Sequence, residues 1–297
     1  MILIGIGFIL ARKKWFDENT SALFSRLVLT ITLPAMMINN VTDYFEPEQI
    51  REMGTGFFLI LLAMGANFLV AMLTVRLFRI PQKQQGVFSC MFSLSNTIFI
   101  GLPVNLAIFG ERSIPYVLVF FVANTIMLWT VGVYFIRKDA DPETRFTVAS
   151  IRKVFTPPLV SFLMAVGFVT FNIPIPSLVL ETTRMVGGMT TPLASFYIGI
   201  VMASLPIQEI RMSKPLFLVI VGRNLLAPMV MFLIFYTLDF PPLMRNVFVI
   251  MSAMPVMTQT VILSRAYGSD QQLAALGAFI TTIISLAAIP IYMMLLS

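Results

Sequence analysis

Apolar segments follow one another along this chain with only short polar loops between them, and that succession limits the folds open to it. Inside hydrocarbon every backbone N–H and C=O must be paired within the protein, which leaves helices and closed barrels as the structures that span a bilayer. A spanning helix takes about 20 mostly apolar residues. Ten segments read as helices: 1–11, 21–41, 54–75, 86–109, 113–136, 156–173, 183–205, 215–237, 246–264 and 272–296. Of the 297 residues, 58% are hydrophobic and 11% charged, whereas a soluble domain carries about 25% charged residues. A water-soluble globule would therefore lack the polar side chains to cover its surface. The expected class is an all-α integral membrane protein of the cell membrane, with the lipid bilayer as its first partner. The opening segment is 11 residues long, short of a span, and the basic cluster Arg12-Lys13-Lys14 follows it. A signal peptide carries its charges before the apolar run, so a late start site or a truncated first helix is expected instead.

Charge distribution sets the expected topology. The loops after segments 1, 3, 5, 7 and 9 hold 14 of the 20 lysines and arginines, and those after segments 2, 4, 6 and 8 hold only Arg51, Arg112 and Arg245. Basic loops stay in the cytoplasm, so both termini are expected outside. The net charge of +6 is a topology signal by this reading, and nucleic acid is not an expected partner. The longest hydrophilic stretch gives a division into 1–136, five transmembrane helices, a cytoplasmic linker at 137–155, and 156–297, five more. An odd number per half inverts the second half in the membrane, so any likeness between halves marks an inverted repeat. Such a likeness exists at an offset of 158: Arg26-Leu27-Val28 with Thr32 and Pro34 recurs as Arg184-Met185-Val186 with Thr190 and Pro192. At the same offset Phe109-Gly110 matches Tyr267-Gly268, Phe121 matches Phe279 and Tyr134 matches Tyr292.

Two segments are interrupted by residues that a plain spanning helix does not need. One is Asn96-Thr97-Ile98-Phe99-Ile100-Gly101-Leu102-Pro103, and the other is Met254-Pro255-Val256-Met257-Thr258-Gln259. The offset sets Gly101 opposite Gln259 and Thr97 opposite Pro255. Broken helices at mid-membrane depth are where transporters bind solutes. Their half-helix N-termini hold anions, and unwound carbonyls can coordinate a cation such as sodium. The candidate substrate-binding residues are therefore Asn96, Gly101, Pro103, Pro255, Thr258 and Gln259. Pro34, Pro192 and Pro228 read as simple kinks. Arg223 is the basic residue deepest in a span, where a charge costs at least about 2.5 kcal/mol on insertion scales. Either it draws an anionic solute or it ties down backbone carbonyls. Arg26 and Arg184, near span ends, are expected to snorkel.

Several chemistries lack their parts. The chain has no histidine and one cysteine, Cys90, which removes the serine triad, the His-Glu-x-x-His zinc site and any intrachain disulfide. All 14 aspartates and glutamates fall in loops or at span ends, so neither an intramembrane aspartyl protease nor a proton relay through a buried carboxylate is expected. No enzyme activity, metal site or cofactor is expected. Sodium, or a proton carried on the substrate, is the candidate coupling ion, and a homodimer is the candidate assembly.

The Arg12-Lys13-Lys14 turn, Leu33-Pro34, the stretch from Asn96 to Pro103 followed by Phe109-Gly110, Met254-Pro255, and Ala266-Tyr267-Gly268 with Asp270 together resemble the auxin efflux carrier family. That family includes plant auxin exporters and bacterial carriers of malate or malonate. The resemblance implies ten helices in two inverted five-helix repeats, as in bile acid sodium symporters, with helices 4 and 9 crossing in a core domain that moves against a scaffold domain. It also implies that Asn96 and the backbone from Gly101 to Pro103 line the substrate site, with Pro255 to Gln259 opposite. The chain departs at Gln259, where a shorter amide is common, and in segment 54–75, which offers Asn67 where some relatives carry an acid. The expected function is a secondary transporter of small organic anions working by alternating access. A non-transporting sensor or scaffold and a channel-like facilitator are the alternatives.

Overall fold

The computed structural model describes residues 2–44, 47–145, 155–204, 212–238 and 240–296. Among these the chain is helical, with no strand and a single isolated antiparallel bridge, Ser95 with Val256. In chain order the helices are α1 (Ile2–Arg12), α2 (Glu18–Leu27), α3 (Leu33–Tyr44), α4 (Pro47–Phe78), α5 (Gln85–Ser93), α6 (Leu102–Phe109), α7 (Ile114–Met127) and α8 (Val133–Ala140). They continue as α9 (Pro157–Thr170), α10 (Ser177–Gly188), α11 (Thr190–Ala203), α12 (Lys214–Val221), α13 (Ala227–Tyr236), α14 (Pro242–Ser252), α15 (Thr258–Tyr267) and α16 (Gln271–Leu296). Helix α8 runs into the stretch read as a linker, and most of the remainder of that stretch lies outside the described residues. Four continuous helical stretches among the described residues are long and apolar enough to cross a membrane: Asn19–Asp43, Gly54–Phe78, Glu111–Ala140 and Lys214–Tyr236.

Several of these stretches join two α-helices through a π-turn. Among the described residues the π-turns are Val28–Thr32, Thr97–Gly101, Leu128–Gly132 and Gly222–Leu226. Three of them end two residues before a proline: Pro34, Pro103 and Pro228. Proline has no N–H and its ring collides with a carbonyl one turn back. The wider turn, with one residue more than an α-turn, accommodates that collision without ending the helix. Pro34 and Pro228, expected as simple kinks, thus share one device with Pro103, which was expected to mark a break. The break in that segment lies upstream, at residues 94–96.

Helix ends show a second regularity. Lys14, Arg79 and Asn172 have φ of 61°, 52° and 51°, the left-handed conformation that closes a helix with a Schellman motif. In each, the following residue donates back five positions: Trp15 to Leu10 at 3.0 Å, Ile80 to Val75 at 3.0 Å, and Ile173 to Phe168 at 2.9 Å. Lys14 and Asn172 are 158 residues apart, as are the positive-φ glycines Gly110 and Gly268. The same spacing separates Thr190 and Thr32, whose buried hydroxyls are hydrogen-bonded at 3.0 Å.

The described chain divides into two compact units. One comprises Met1–Gly54, Ile98–Leu118 and Phe155–Ile207, and the other Thr55–Thr97, Val119–Val154 and Gln208–Ser297. In the first, α1 lies along α11, while α9 and α10 pack on α3. Arg184, expected to snorkel, pairs with Asp43 at 3.0 Å there, and both side chains are exposed. In the second, α5 packs against α8, α12 and α16. Its core gathers Phe88, Met91, Phe92, Val219, Leu273 and Ala274.

Candidate substrate site at the crossing of two interrupted segments

Within the second unit the two interrupted segments meet as extended backbone. Helix α5 stops at Ser93, and Leu94 turns extended with φ −108° and ψ 138°. Helix α14 stops at Ser252, and α15 begins at Thr258. Ser95 and Val256 form the antiparallel bridge, and the Asn96 N–H donates to the Pro255 carbonyl at 2.8 Å. The Asn96 amide nitrogen donates to the Thr258 hydroxyl at 3.0 Å.

Such short extended segments cannot satisfy one another as a sheet would, yet Ser95 and Val256 are 0% and 1% exposed. Buried backbone groups need partners, and side chains from neighbouring helices supply them. Asn124 on α7 accepts from the Ser95 N–H at 3.2 Å and donates to the Ser95 carbonyl at 3.0 Å, so one amide stands in for a neighbouring strand. Thr281 on α16 accepts from the Val256 N–H at 3.0 Å. Neither residue was expected from the sequence. Asn124 carried a signal, as the sole amide in the apolar stretch 113–136.

Charge holds both ends of α5. At its start the Asp139 carboxylate accepts the Gly86 and Val87 N–H groups at 2.6 and 2.9 Å and the Ser269 hydroxyl at 2.5 Å. Near its end Arg223, 1% exposed, donates to the Phe92 carbonyl at 3.1 Å. A carboxylate at the N-terminus and a guanidinium at the C-terminus both complement the helix dipole. Of the two roles open to Arg223, the geometry provides the carbonyl partner. Gly222 lets that contact form, because a Cβ there would lie 2.1 Å from the Phe92 ring.

The second unit thus gathers Asn96, Pro255, Thr258, Gln259 and Arg223. Gly101 and Pro103 belong to the first unit, where the Gly101 carbonyl accepts the Asn105 amide at 2.8 Å and Pro103 stands in the first turn of α6. At the crossing Asn96 meets Thr258 and Ser95 meets Val256. The connections differ in length, 94–96 against 253–257, and the π-turn Thr97–Gly101 has no counterpart in α15. Polar capacity remains beside the crossing. The Ser93, Ser95 and Thr260 hydroxyls are buried without a hydrogen-bond partner among the described residues. Helix α15 opens on Thr258 and Gln259 with no side-chain cap.

An apolar, all-helical chain with several membrane-length helices is a multi-pass membrane protein. Its sequence matches the family described as membrane transport protein over residues 1–293, and the chain belongs to that family, the one its likeness to auxin efflux carriers indicated. It is similar to an uncharacterized transporter of Methanocaldococcus jannaschii, at 24% identity over 98% of this chain and 95% of the relative. An uncharacterized transporter of Methanothermobacter thermautotrophicus is 22% identical over 100% of this chain and 96% of its own length. A third, of Saccharomyces cerevisiae, is 31% identical over 28% of this chain and 13% of the relative.

Proposed function

We propose that this transporter is a secondary carrier of small organic anions, built as ten spans in two inverted five-span repeats and working by alternating access. The observation that carries the reading is the crossing itself: the Ser95–Val256 bridge with Asn96 joined to Pro255 and Thr258. The 158-residue spacing of the Thr32–Thr190 contact and of two pairs of positive-φ residues supports the inverted repeat. Asn96 offers amide hydrogens to a carboxylate, Thr258 and Gln259 offer the open start of α15, and Arg223 places positive charge behind α5. Gly101 and Pro103 serve by shaping the segment that follows Asn96. With no carboxylate among these residues, an anion meets a site of favourable sign. The driving ion is sodium or a proton carried on the substrate.

The test is uptake and exchange of malate, malonate and related acids in proteoliposomes, with and without sodium and a pH gradient. Wild type should show exchange accelerated by substrate on the opposite side, which a pore does not. Asn96→Ala should lower exchange about tenfold or more, equivalent to roughly 1.4 kcal/mol, with normal insertion. Unchanged exchange in that variant would place the site elsewhere, and no exchange by wild type would favour a sensor or scaffold.

A further inference from the structure

A cavity of about 500 Å³ opens in the second unit, away from the crossing, between the end of α4, the start of α5 and the end of α8. Its wall carries three cations, Arg76, Arg79 and Lys138, together with Gln82, Gln85 and Ser89. None of the three forms an ion pair among the described residues, where the one such pair, Arg184 with Asp43, belongs to the other unit. The acid on the wall, Asp139, is engaged by the start of α5 and by Ser269. Three cations against one carboxylate therefore leave the cavity a net positive field with amide and hydroxyl groups around it, the chemistry of a phosphate site.

Its surroundings specify which phosphate. Phe58, Leu62, Leu69, Leu73 and Leu77 are exposed on α4, and their spacing sets them along one face. In a membrane protein an exposed apolar face of this length meets acyl chains. It runs to the turn that carries Arg76 and Arg79, on the side the loop charges assign to the cytoplasm. Arg79 adds a further sign: it occupies the left-handed closing position of α4 with φ 52°, where glycine carries no steric penalty. A bulky cation is kept there at some conformational cost.

We propose that this cavity binds the phosphate headgroup of an anionic phospholipid of the cytoplasmic leaflet, with the acyl chains lying along the exposed leucine face of α4. This site is separate from the substrate reading and does not rest on it. The Arg79→Gly variant separates binding from folding, because it removes a guanidinium while relieving the positive φ. The full-length protein in detergent would be titrated with short-chain phosphatidylglycerol, short-chain phosphatidylcholine and inorganic phosphate, with bound lipid read by native mass spectrometry.

Phosphatidylglycerol should bind in preference to phosphatidylcholine. Arg79→Gly and Lys138→Gln should each weaken it roughly fivefold, as expected for one cation near a lipid surface, and Arg79→Gly should retain the wild-type melting temperature or exceed it. Equal binding of the two lipids, or wild-type affinity in the folded Arg79→Gly protein, would overturn the proposal. Inorganic phosphate binding as tightly as phosphatidylglycerol would also overturn it, in favour of a soluble-anion site.

Discussion

Replacing Asn124 with leucine should abolish the proposed organic-acid exchange and lower the unfolding temperature of the detergent-solubilised protein. Leucine keeps the branching and the number of heavy atoms, so the main change is loss of the amide's hydrogen bonds. Without it the Ser95 N–H and C=O lose the partners they have at 3.2 and 3.0 Å. Each buried backbone group left unpaired costs about 1–3 kcal/mol, so the loss is roughly 2–6 kcal/mol at one residue. Part of that penalty is relieved if residues 94–96 rotate toward other donors, and such a rotation moves Asn96 off Thr258. Stability and transport should therefore fall together. A variant that melts and exchanges like wild type would show that the crossing does not depend on this amide.

Gly86→Ala should be the more damaging change to folding, although it adds one methyl group. The new Cβ would lie 2.0 Å from the Phe135 carbonyl oxygen and 2.7 Å from the Ile136 nitrogen. Those are backbone atoms of α8, so no side chain can swing aside, and α5 and α8 must separate. Overpacking costs about 1–3 kcal/mol, occasionally more. Here separation also draws the Gly86 and Val87 N–H groups away from Asp139. The expected outcome is little folded protein, or a melting temperature well below wild type. Gly65→Ala is the matched control, since nothing lies within 4 Å of its added Cβ and a helix interior gains about 0.5–1 kcal/mol on that exchange. Similar yields for the two variants would contradict the close packing of α5 on α8.

The parts of the fold legible in the sequence are those that local chemistry dictates. Apolar length marked the helices, and the recurrence of Thr32 with Pro34 as Thr190 with Pro192 found two threonines that touch. Asn96, Pro255 and Thr258 were found because an amide, a proline and a hydroxyl are out of place in a plain span, and the structure brings these three together. The position of the break was not legible, because Leu94-Ser95-Asn96 contains neither glycine nor proline. Those residues are extended because Val256, Pro255 and Asn124 pair with them, and pairing partners far along the chain leave no local trace. Pro103 misled for the converse reason, since a π-turn lets a helix carry a proline. Asp139 read as a loop acid, and its hold on the start of α5 becomes visible only when α5 and α8 lie side by side.

The hydrogen bond between Thr32 and Thr190 joins two residues that occupy the same place in the two halves of the sequence. If the halves descend from one duplicated stretch, any ancestral residue at this place faced a copy of itself. Self-contact is a demanding filter. Two carboxylates or two ammonium groups in that buried position would repel, whereas a hydroxyl both donates and accepts. Threonine is therefore compatible with its own image, and the contact could persist unchanged from a symmetric pair of half-length chains to a single fused one.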